Sequence, residues 1–378
     1  MIHLTKFYLY VWLLIIMPSN TFAQFELNKV EAFNINSLLD LDILDYFPTK
    51  KIYLGFIKSR NENDIVLVNA TGKIIVKKNL IGEGPNQSIS HINCMAFSKD
   101  GDIWLQSTTH VLLYDQELVL KERFSYPSSL SVQIRGSKEY FPYFYQDGLE
   151  SGFSYITNPS NVNPFSNNID LDKNLIEIYT PNIDKLFKIA PAAERKMYKK
   201  FSNSLISSLY FIKYTIDNSN NRLYLTTRLD DEITVYNLNT HMLLSRLKVN
   251  HGEFNVLGVS SISRQDLPSI DRISLGAKNH KLFLLDEGQI ILDYVKEIPY
   301  GIYEQKKALD PYYHHYSDPS FHRLILFDQK KQLSGDIPMP ENGHLMTSLP
   351  GNRLLFKIKN PDFEEDFIRY EIYHIVKK

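Results

Sequence analysis

The sequence predicts an all-β protein, a six-bladed β-propeller of four-stranded antiparallel blades. Three observations predict it: one strand phrase recurs along the chain, 24 Tyr stand against 2 Trp, and a single short segment reads as helix. Tyrosine suits the pleated, half-buried surface of a strand. The phrase is clearest where Ile52-Tyr53-Leu54-Gly55-Phe56-Ile57 leads, after a polar link, to Ile65-Val66-Leu67-Val68-Asn69. A turn at Ala70-Thr71-Gly72 and the run Lys73-Ile74-Ile75-Val76-Lys77 complete it. It returns as Ile103-Trp104-Leu105, Val111-Leu112-Leu113-Tyr114-Asp115 and residues 118–124, and again as Leu223-Tyr224-Leu225, Ile233-Thr234-Val235-Tyr236-Asn237 and residues 241–249. Such a phrase is a meander of antiparallel strands. Asn or Asp ends its second run because a short polar side chain bonds the backbone two residues on and so opens a turn.

Weaker copies fill the gaps. Phe153-Ser154-Tyr155-Ile156 opens a third unit, closed by Leu175-Ile176-Glu177-Ile178-Tyr179 and Lys185-Leu186-Phe187-Lys188-Ile189. A fifth opens at Leu282-Phe283-Leu284-Leu285-Asp286 and closes late, at Leu324-Ile325-Leu326-Phe327-Asp328, after an insertion. A sixth opens at Leu354-Leu355-Phe356-Lys357-Ile358 and ends over residues 367–376. Six openings predict six blades. A lone blade cannot bury both of its apolar faces, whereas blades packed around an axis bury each other's. Closure falls to residues 25–33 (Phe25, Leu27, Val30, Phe33), which precede the first full repeat and are expected to pair with the C-terminal blade as its outer strand. The helical segment is Pro191-Ala192-Ala193-Glu194-Arg195-Lys196-Met197-Tyr198, with Pro at a first helical position.

The 42 basic and 43 acidic side chains nearly cancel. No field draws in a polyanion, so nucleic acid is excluded as a partner. With 43% hydrophobic residues and no linker-like stretch, residues 24–378 read as one domain with a large core. Residues 1–23 read as a signal peptide: Lys6 supplies the positive charge, residues 7–17 are apolar, Pro18-Ser19-Asn20 break the run, and Thr21-Phe22-Ala23 offers a small-residue cleavage site. Those 11 apolar residues fall short of the roughly 18–20 that span a bilayer. The expected address is therefore periplasm, cell envelope or exterior, with no transmembrane segment after cleavage. Cys94 lies far from the cleavage site and is not a lipid anchor; its flanks Ile92, Met95 and Phe97 predict a buried, inert thiol.

One run carries a family likeness. Ile81-Gly82-Glu83-Gly84-Pro85-Asn86, then Ile89, Phe97, Asp100-Gly101-Asp102-Ile103-Trp104 and Leu113-Tyr114-Asp115, resembles the Gly-x-Gly-Pro turn, strand and Asp-Gly turn of secreted bacterial six-bladed propellers of the TolB-like and NHL-like kind. The tail Glu365-Asp366-Phe367-Ile368-Arg369-Tyr370-Glu371-Ile372-Tyr373 resembles a closing strand of one branch of them. Asn86 stands where a second Gly often follows the Pro. The resemblance implies a fold and an exported address, and no activity.

Chemistry is sparsely signalled. Gly82-Glu83-Gly84-Pro85 lacks the Gly-Lys-Ser/Thr ending of a phosphate loop and reads as a turn. Asp310, His314, His315, Asp318 and His322 crowd together, with Tyr312, Tyr313 and Tyr316 interleaved. Imidazole and carboxylate suit zinc or a harder cation, but no helical His-Glu-x-x-His pair exists. An exposed aromatic loop of Tyr312, Tyr313, His314, His315 and Tyr316 is therefore the expected ligand surface, with His251-Gly252-Glu253 as a weaker one. Axial calcium, as in six-bladed hydrolases and lactonases, has Asp147, Asn158, Asp230, Asp231 and Asp286 as candidate ligands. No Gly-x-Ser-x-Gly elbow is present. Tyr140-Phe141-Pro142-Tyr143-Phe144-Tyr145 reads as a core strand or a stacking surface, and Glu364-Glu365-Asp366 as a solvated turn. The reading is a non-catalytic ligand- or protein-binding propeller that needs no cofactor and takes a protein, peptide or glycan partner. The alternative is a calcium-dependent hydrolase or lyase with an axial active site.

Overall fold

The computed structural model describes residues 24–58, 63–87, 92–107, 110–125, 154–157, 174–180, 184–196, 212–255, 275–360 and 365–378. Strand β1 (Phe25–Ile35) is followed by a sheet of β2 (Leu41–Phe47), β3 (Ile52–Lys58), β4 (Asn63–Asn69) and β5 (Ile74–Asn79). Next come β6 (Ile92–Phe97), β7 (Ile103–Ser107), β8 (His110–Tyr114) and β9 (Leu120–Ser125), then β10 (Tyr155–Thr157), β11 (Asn174–Thr180) and β12 (Lys185–Pro191). The fourth sheet is β13 (Ile212–Asp217), β14 (Arg222–Thr227), β15 (Glu232–Asn237) and β16 (Leu243–Lys248). The fifth is β17 (Lys278–Leu284), β18 (Ile290–Val295), β19 (His322–Phe327) and β20 (Ile337–Pro338), with helix α1 (Tyr300–Leu309) inserted between β18 and β19. The last combines β21 (Gly343–Leu349), β22 (Arg353–Ile358) and β23 (Ile368–Lys377) with β1, in the order β1-β23-β22-β21.

These are five four-stranded antiparallel blades in a propeller arrangement, plus the sheet β10-β11-β12. The expectation of four strands in every blade is corrected there, where the described residues form three. The first strands of neighbouring sheets lie against one another, β2 on β6 and β21, and β17 on β13 and β21. First strands are therefore innermost. The repeat phrase read from the sequence begins one strand late, on β3, β7 and β14, because inner strands such as Leu41-Asp42-Ile43-Leu44-Asp45 break the apolar run. In four blades the inner strand also carries one extra residue against its partner: Leu44, Asn93, His280 and Met346. Such bulges re-aim local side chains. They also blur the two-residue alternation by which a strand is recognised.

The turn chemistry is as the sequence predicts. Asn69 Oδ1 accepts the Thr71 and Lys73 amides at 3.0 Å each. Asp115 does the same for Glu117 and Val119, Asn237 for Asn239 and Thr240, and Asp328 for Lys330 and Lys331. Gly72 is required in the first of these turns. Its φ is +86° and a Cβ there would sit 2.0 Å from the Asn34 carbonyl oxygen of β1.

Apolar clusters join the sheets in sequence. Leu54 and Leu67 pack with Leu105 and Leu112, Trp104 and Val111 with Tyr179, and Ile176 and Ile178 with Tyr214 and Leu225. Beyond these, Ile233 and Val235 pack with Leu292 and Ile325, Phe283 and Leu324 with Phe356, and Tyr370 and Ile372 with Leu41 and Val66. Polar ties cross the same seams. Asp45 Oδ2 accepts the Phe97 amide at 2.7 Å, Gln106 reaches the Ile156 carbonyl at 3.3 Å, and Arg195 Nε reaches Asp230 at 2.9 Å. Asp286 accepts the Gly351 amide at 2.6 Å, and the Tyr370 hydroxyl donates to the Leu41 carbonyl at 2.5 Å.

Residues 25–33 pair with the C-terminal sheet as its outer strand, from Phe25 opposite Lys377 to Phe33 opposite Tyr370. In the segment expected to be helical, 191–198, Ala192–Glu194 form a 3-10 turn, and residues 197 and 198 lie outside the described region. Pro191 is the last residue of β12, and α-helical geometry begins at Lys196, the last described residue of this segment. Helix α1, which the sequence reading did not name, is only weakly amphipathic: among its apolar side chains only Tyr303 is buried. Cys94 is buried, as its flanks predict. Among the described residues, no helix is long and apolar enough to cross a membrane.

Candidate functional site

The inner strands β13, β17 and β21 lie against one another in turn, β17 between the other two. Because neighbouring strands are antiparallel, the connection from second to third strand returns to the end where the first strand of its sheet begins, as do the turn after β14 and the α1 insertion. Asn279 fixes the arrangement. Its Nδ2 donates to the Thr227 and Asp230 carbonyls at 2.9 and 2.8 Å, its amide donates to the Arg228 carbonyl at 2.8 Å, and its Oδ1 faces His251 Nε2 at 2.8 Å. Because Nδ2 is the donor side of Asn279, the His251 nitrogen must be N–H. Arg228 is thereby held beside Lys278.

Lys278 is 3% exposed and donates to the Tyr316 hydroxyl, whose ring lies 5.9 Å from the Arg228 guanidinium. Burial, with the Arg228 charge added, pushes the Lys278 ammonium down to about 6. The Tyr316 carbonyl faces His322 Nε2 at 2.9 Å, and His322 Nδ1 faces Asp293 at 2.8 Å. Both His322 ring nitrogens thus face oxygen atoms, one of a carboxylate and one of a backbone carbonyl. Burial raises the Asp293 carboxyl, but His322 outweighs it and holds the group below the ordinary carboxylate range. The bulge residue His280 stands edge-on to His322, with ring centres 5.0 Å apart, and has Lys213 within electrostatic reach. His315 is 2% exposed, and its Nε2 has no hydrogen-bond partner.

The predicted aromatic loop is corrected in part. Tyr312 is 87% exposed and His314 is exposed, but Tyr313, His315 and Tyr316 turn inward. The insertion has its own small core of Leu275, Ile298 and Tyr303, against which Tyr313 and Phe321 pack. Asp318 anchors it, accepting from Lys306 at 2.8 Å and from the Tyr313 hydroxyl at 2.9 Å. Burial raises its carboxyl, yet these bonds and those from Ser320 hold it down to about 2. With Asp318 and His322 so engaged, the five residues tested for metal do not converge. Among the described residues, no group of three or more His, Cys, Asp or Glu is placed to hold a metal ion.

Other candidates disperse. His251 stacks on Phe254 at 3.8 Å and packs edge-on to Tyr294, while Gly252 admits the Asp336 carboxylate where a Cβ would clash. That segment is a seam between blades. Asp230 is fully buried against Arg195, and Asp286 accepts the Gly351 amide of the next sheet. Asp147, Asn158 and residues 140–145 lie outside the described residues. Gln87 fills the turn at Gly84, accepting its amide at 2.9 Å. Lys213, Lys278, His280 and Asp293 escaped the sequence reading, which had weighed His322 only as a metal ligand. Isolated charges inside apolar strands were their one signal.

Burial pushes His280 down to about 3, and His251, His315 and His344 down to about 4. The folded state keeps them neutral, whereas the unfolded chain protonates them below about 6.5. Their contribution is present above that value and is lost as pH falls toward 4, with a slope of about 1.4 kcal/mol per pH unit for each group. Burial raises Asp45 to about 6 and opposes this between about 4 and 6. Four groups against one predict a lower urea midpoint at pH 5 than at pH 7, with the difference reduced in His280→Gln. An unchanged midpoint would mean these rings are hydrated.

No protein-family model matches the chain, and no curated protein matches it. Among solved structures, the fold is similar to that of a DUF4221 family member from Bacteroides vulgatus, with a TM-score of 0.67 at 12% identity, over 94% of this chain and 99% of the other. A candidate exported protein from Bacteroides fragilis aligns with a TM-score of 0.47 at 11% identity, over 93% of this chain and 98% of that one.

Proposed function

We propose that this chain is an exported, non-catalytic binding propeller that takes its ligand at the axial end where the α1 insertion sits. One observation carries the reading: Lys213, Lys278 and His280 on inner strands, Arg228 on a turn, and His315, Tyr316 and His322 from the insertion and the strand after it come together there. A small molecule, peptide or glycan end is the class of ligand that such a mixture of cationic, aromatic and imidazole groups suits. In this reading the six sheets form one closed six-bladed domain over residues 24–378, shut by β1, and akin to the TolB-like and NHL-like propellers. Residues 1–23 are its signal peptide. The cleavage expected after Ala23 would leave β1 whole, since its first residue is Phe25 and the Gln24 carbonyl already accepts the Lys378 amide at 2.9 Å. The mature protein then lies in the periplasm, envelope or exterior, with no cofactor.

A ligand that prefers the native form raises the melting temperature. A thermal-shift screen with glycans, peptides, small metabolites and calcium should yield a ligand whose effect is lost in Arg228→Gln and kept in Met242→Ser, an exposed residue just before the outer strand β16. Ligand-induced protection from hydrogen exchange confined to outer strands would contradict the reading. A calcium-dependent rise reversed by a chelator would move the assignment to the hydrolase or lyase alternative.

A further inference from the structure

We infer that the mature chain is blocked at its first residue: Gln24 closes to a pyroglutamyl end that shields β1 from aminopeptidases. The inference rests on the leader reading, with cleavage after Ala23. Cleavage there turns an internal glutamine into an N-terminal one. The freed α-amine attacks the Cδ carbonyl of the same residue, so an N–Cδ bond forms and the Cδ–Nε2 bond breaks. One amine proton leaves with the carboxamide nitrogen as ammonia. Atoms balance without a co-reactant, and nothing is oxidised or reduced. Nucleophile and carbonyl belong to one residue, so the step is unimolecular, and the five-membered ring it forms carries little strain. Only the unprotonated amine attacks, and that form grows as pH rises through about 7.7–8.0.

The structure leaves room for this chemistry and gives it a consequence. Gln24 is exposed and borders a surface groove with Gly335, Asp336, Pro338 and Lys378. Its tie to the last strand is made by the backbone: the Gln24 carbonyl accepts the Lys378 amide at 2.9 Å. Ring closure joins the nitrogen to the side chain and leaves ψ, which aims that carbonyl, free to keep its value. The lactam and the strand pairing are therefore compatible. Phe25, the next residue, is the first of β1 and faces Lys377. Phe25 and Leu27 pack with Phe283 and Phe356. Chain ends are where proteolysis concentrates. An aminopeptidase, which works from a free α-amine, would remove Gln24 and meet that apolar cover next. A lactam nitrogen offers it no such amine.

The test uses the full chain, leader included, exported by a bacterial host and purified as the mature protein. After several days at mildly alkaline pH, its intact mass should be that of residues 24–378 less one ammonia. Fragmentation should place the loss in the N-terminal peptide. Gln24→Asn should keep its full mass at that end, because the same attack would need a strained four-membered ring. Aminopeptidase should shorten Gln24→Asn and leave the cyclised parent whole, and prior treatment with a pyroglutamyl peptidase should open the parent to it. A parent that begins at Gln24 and keeps its ammonia overturns the inference and leaves the leader reading standing. A mature chain that begins elsewhere overturns both. Equal digestion of the two proteins removes the shielding role.

Discussion

Arg195→Met is expected to destabilise the protein by about 3–5 kcal/mol, the usual consequence of stranding one partner of a buried ion pair. Both Arg195 and Asp230 are 0% exposed. Arg195 Nε donates to Asp230 Oδ2 at 2.9 Å, Nη2 reaches the same oxygen, and Nη1 donates to the Thr234 hydroxyl at 2.6 Å. The arginine follows the 3-10 turn after β12, while Asp230 and Thr234 belong to the β14–β15 hairpin, so the pair ties the third sheet to the fourth. Without the guanidinium, Asp230 is a carboxylate in a dry seam. Replacing both partners removes the stranded charge, so Arg195→Met/Asp230→Leu should recover most of the loss. Urea unfolding of parent, single and double variants measures this. A single variant within about 1 kcal/mol of the parent would show that water reaches the pair, because exposed pairs contribute no more than that.

The sequence showed the blades better than the axis, and the reason is physical. Second and third strands are buried on both faces and read as apolar runs, such as Ile65-Val66-Leu67-Val68. Turn residues Asn69, Asp115, Asn237 and Asp328 declare themselves because their side chains bond local backbone. Inner strands do neither. Lys278-Asn279-His280-Lys281 looks like a solvated loop, yet it is the start of inner strand β17, with His280 bulged out of the pleat. Its partners lie far away in sequence: Arg228 is fifty residues before Lys278 and Tyr316 thirty-eight after it. No local spacing rule joins them. The loop at 312–316 was found by composition, but which of its rings turn inward depends on Leu275, Ile298 and Tyr303 beneath.

Deleting residues 24–35 is expected to abolish the folded monomer. β1 faces β23 at ten residue pairs. Phe33 stacks on Tyr53 at 5.1 Å and on Tyr370 at 5.3 Å, one ring from the first sheet and one from the last. Ile35 is fully buried, Phe25 and Leu27 cover Phe283 and Phe356, and Lys29 pairs with Glu371 at 2.5 Å. Removing the strand strips these contacts together and leaves β23 as an open, half-apolar edge, a template for aggregation. Total stabilities of about 5–15 kcal/mol do not survive such a loss. A synthetic peptide of residues 24–37 supplied in trans should restore soluble, cooperatively unfolding protein. A truncated chain that folds as well alone would place β1 outside the structural unit.

Joining the two ends of the chain tests the closed ring most directly. Asn28 and His374 face each other across β1 and β23, and facing strand residues lie within the Cα separation a disulfide requires. In Asn28→Cys/His374→Cys, the thiols should pair on mild oxidation of the native protein. The single unfolding transition should then move to higher denaturant by about 4–5 kcal/mol, as expected for closing so long a loop. Thiols that stay reduced in the native state, or a disulfide that stabilises the last sheet and leaves the others melting as before, would contradict a ring held shut by its first strand.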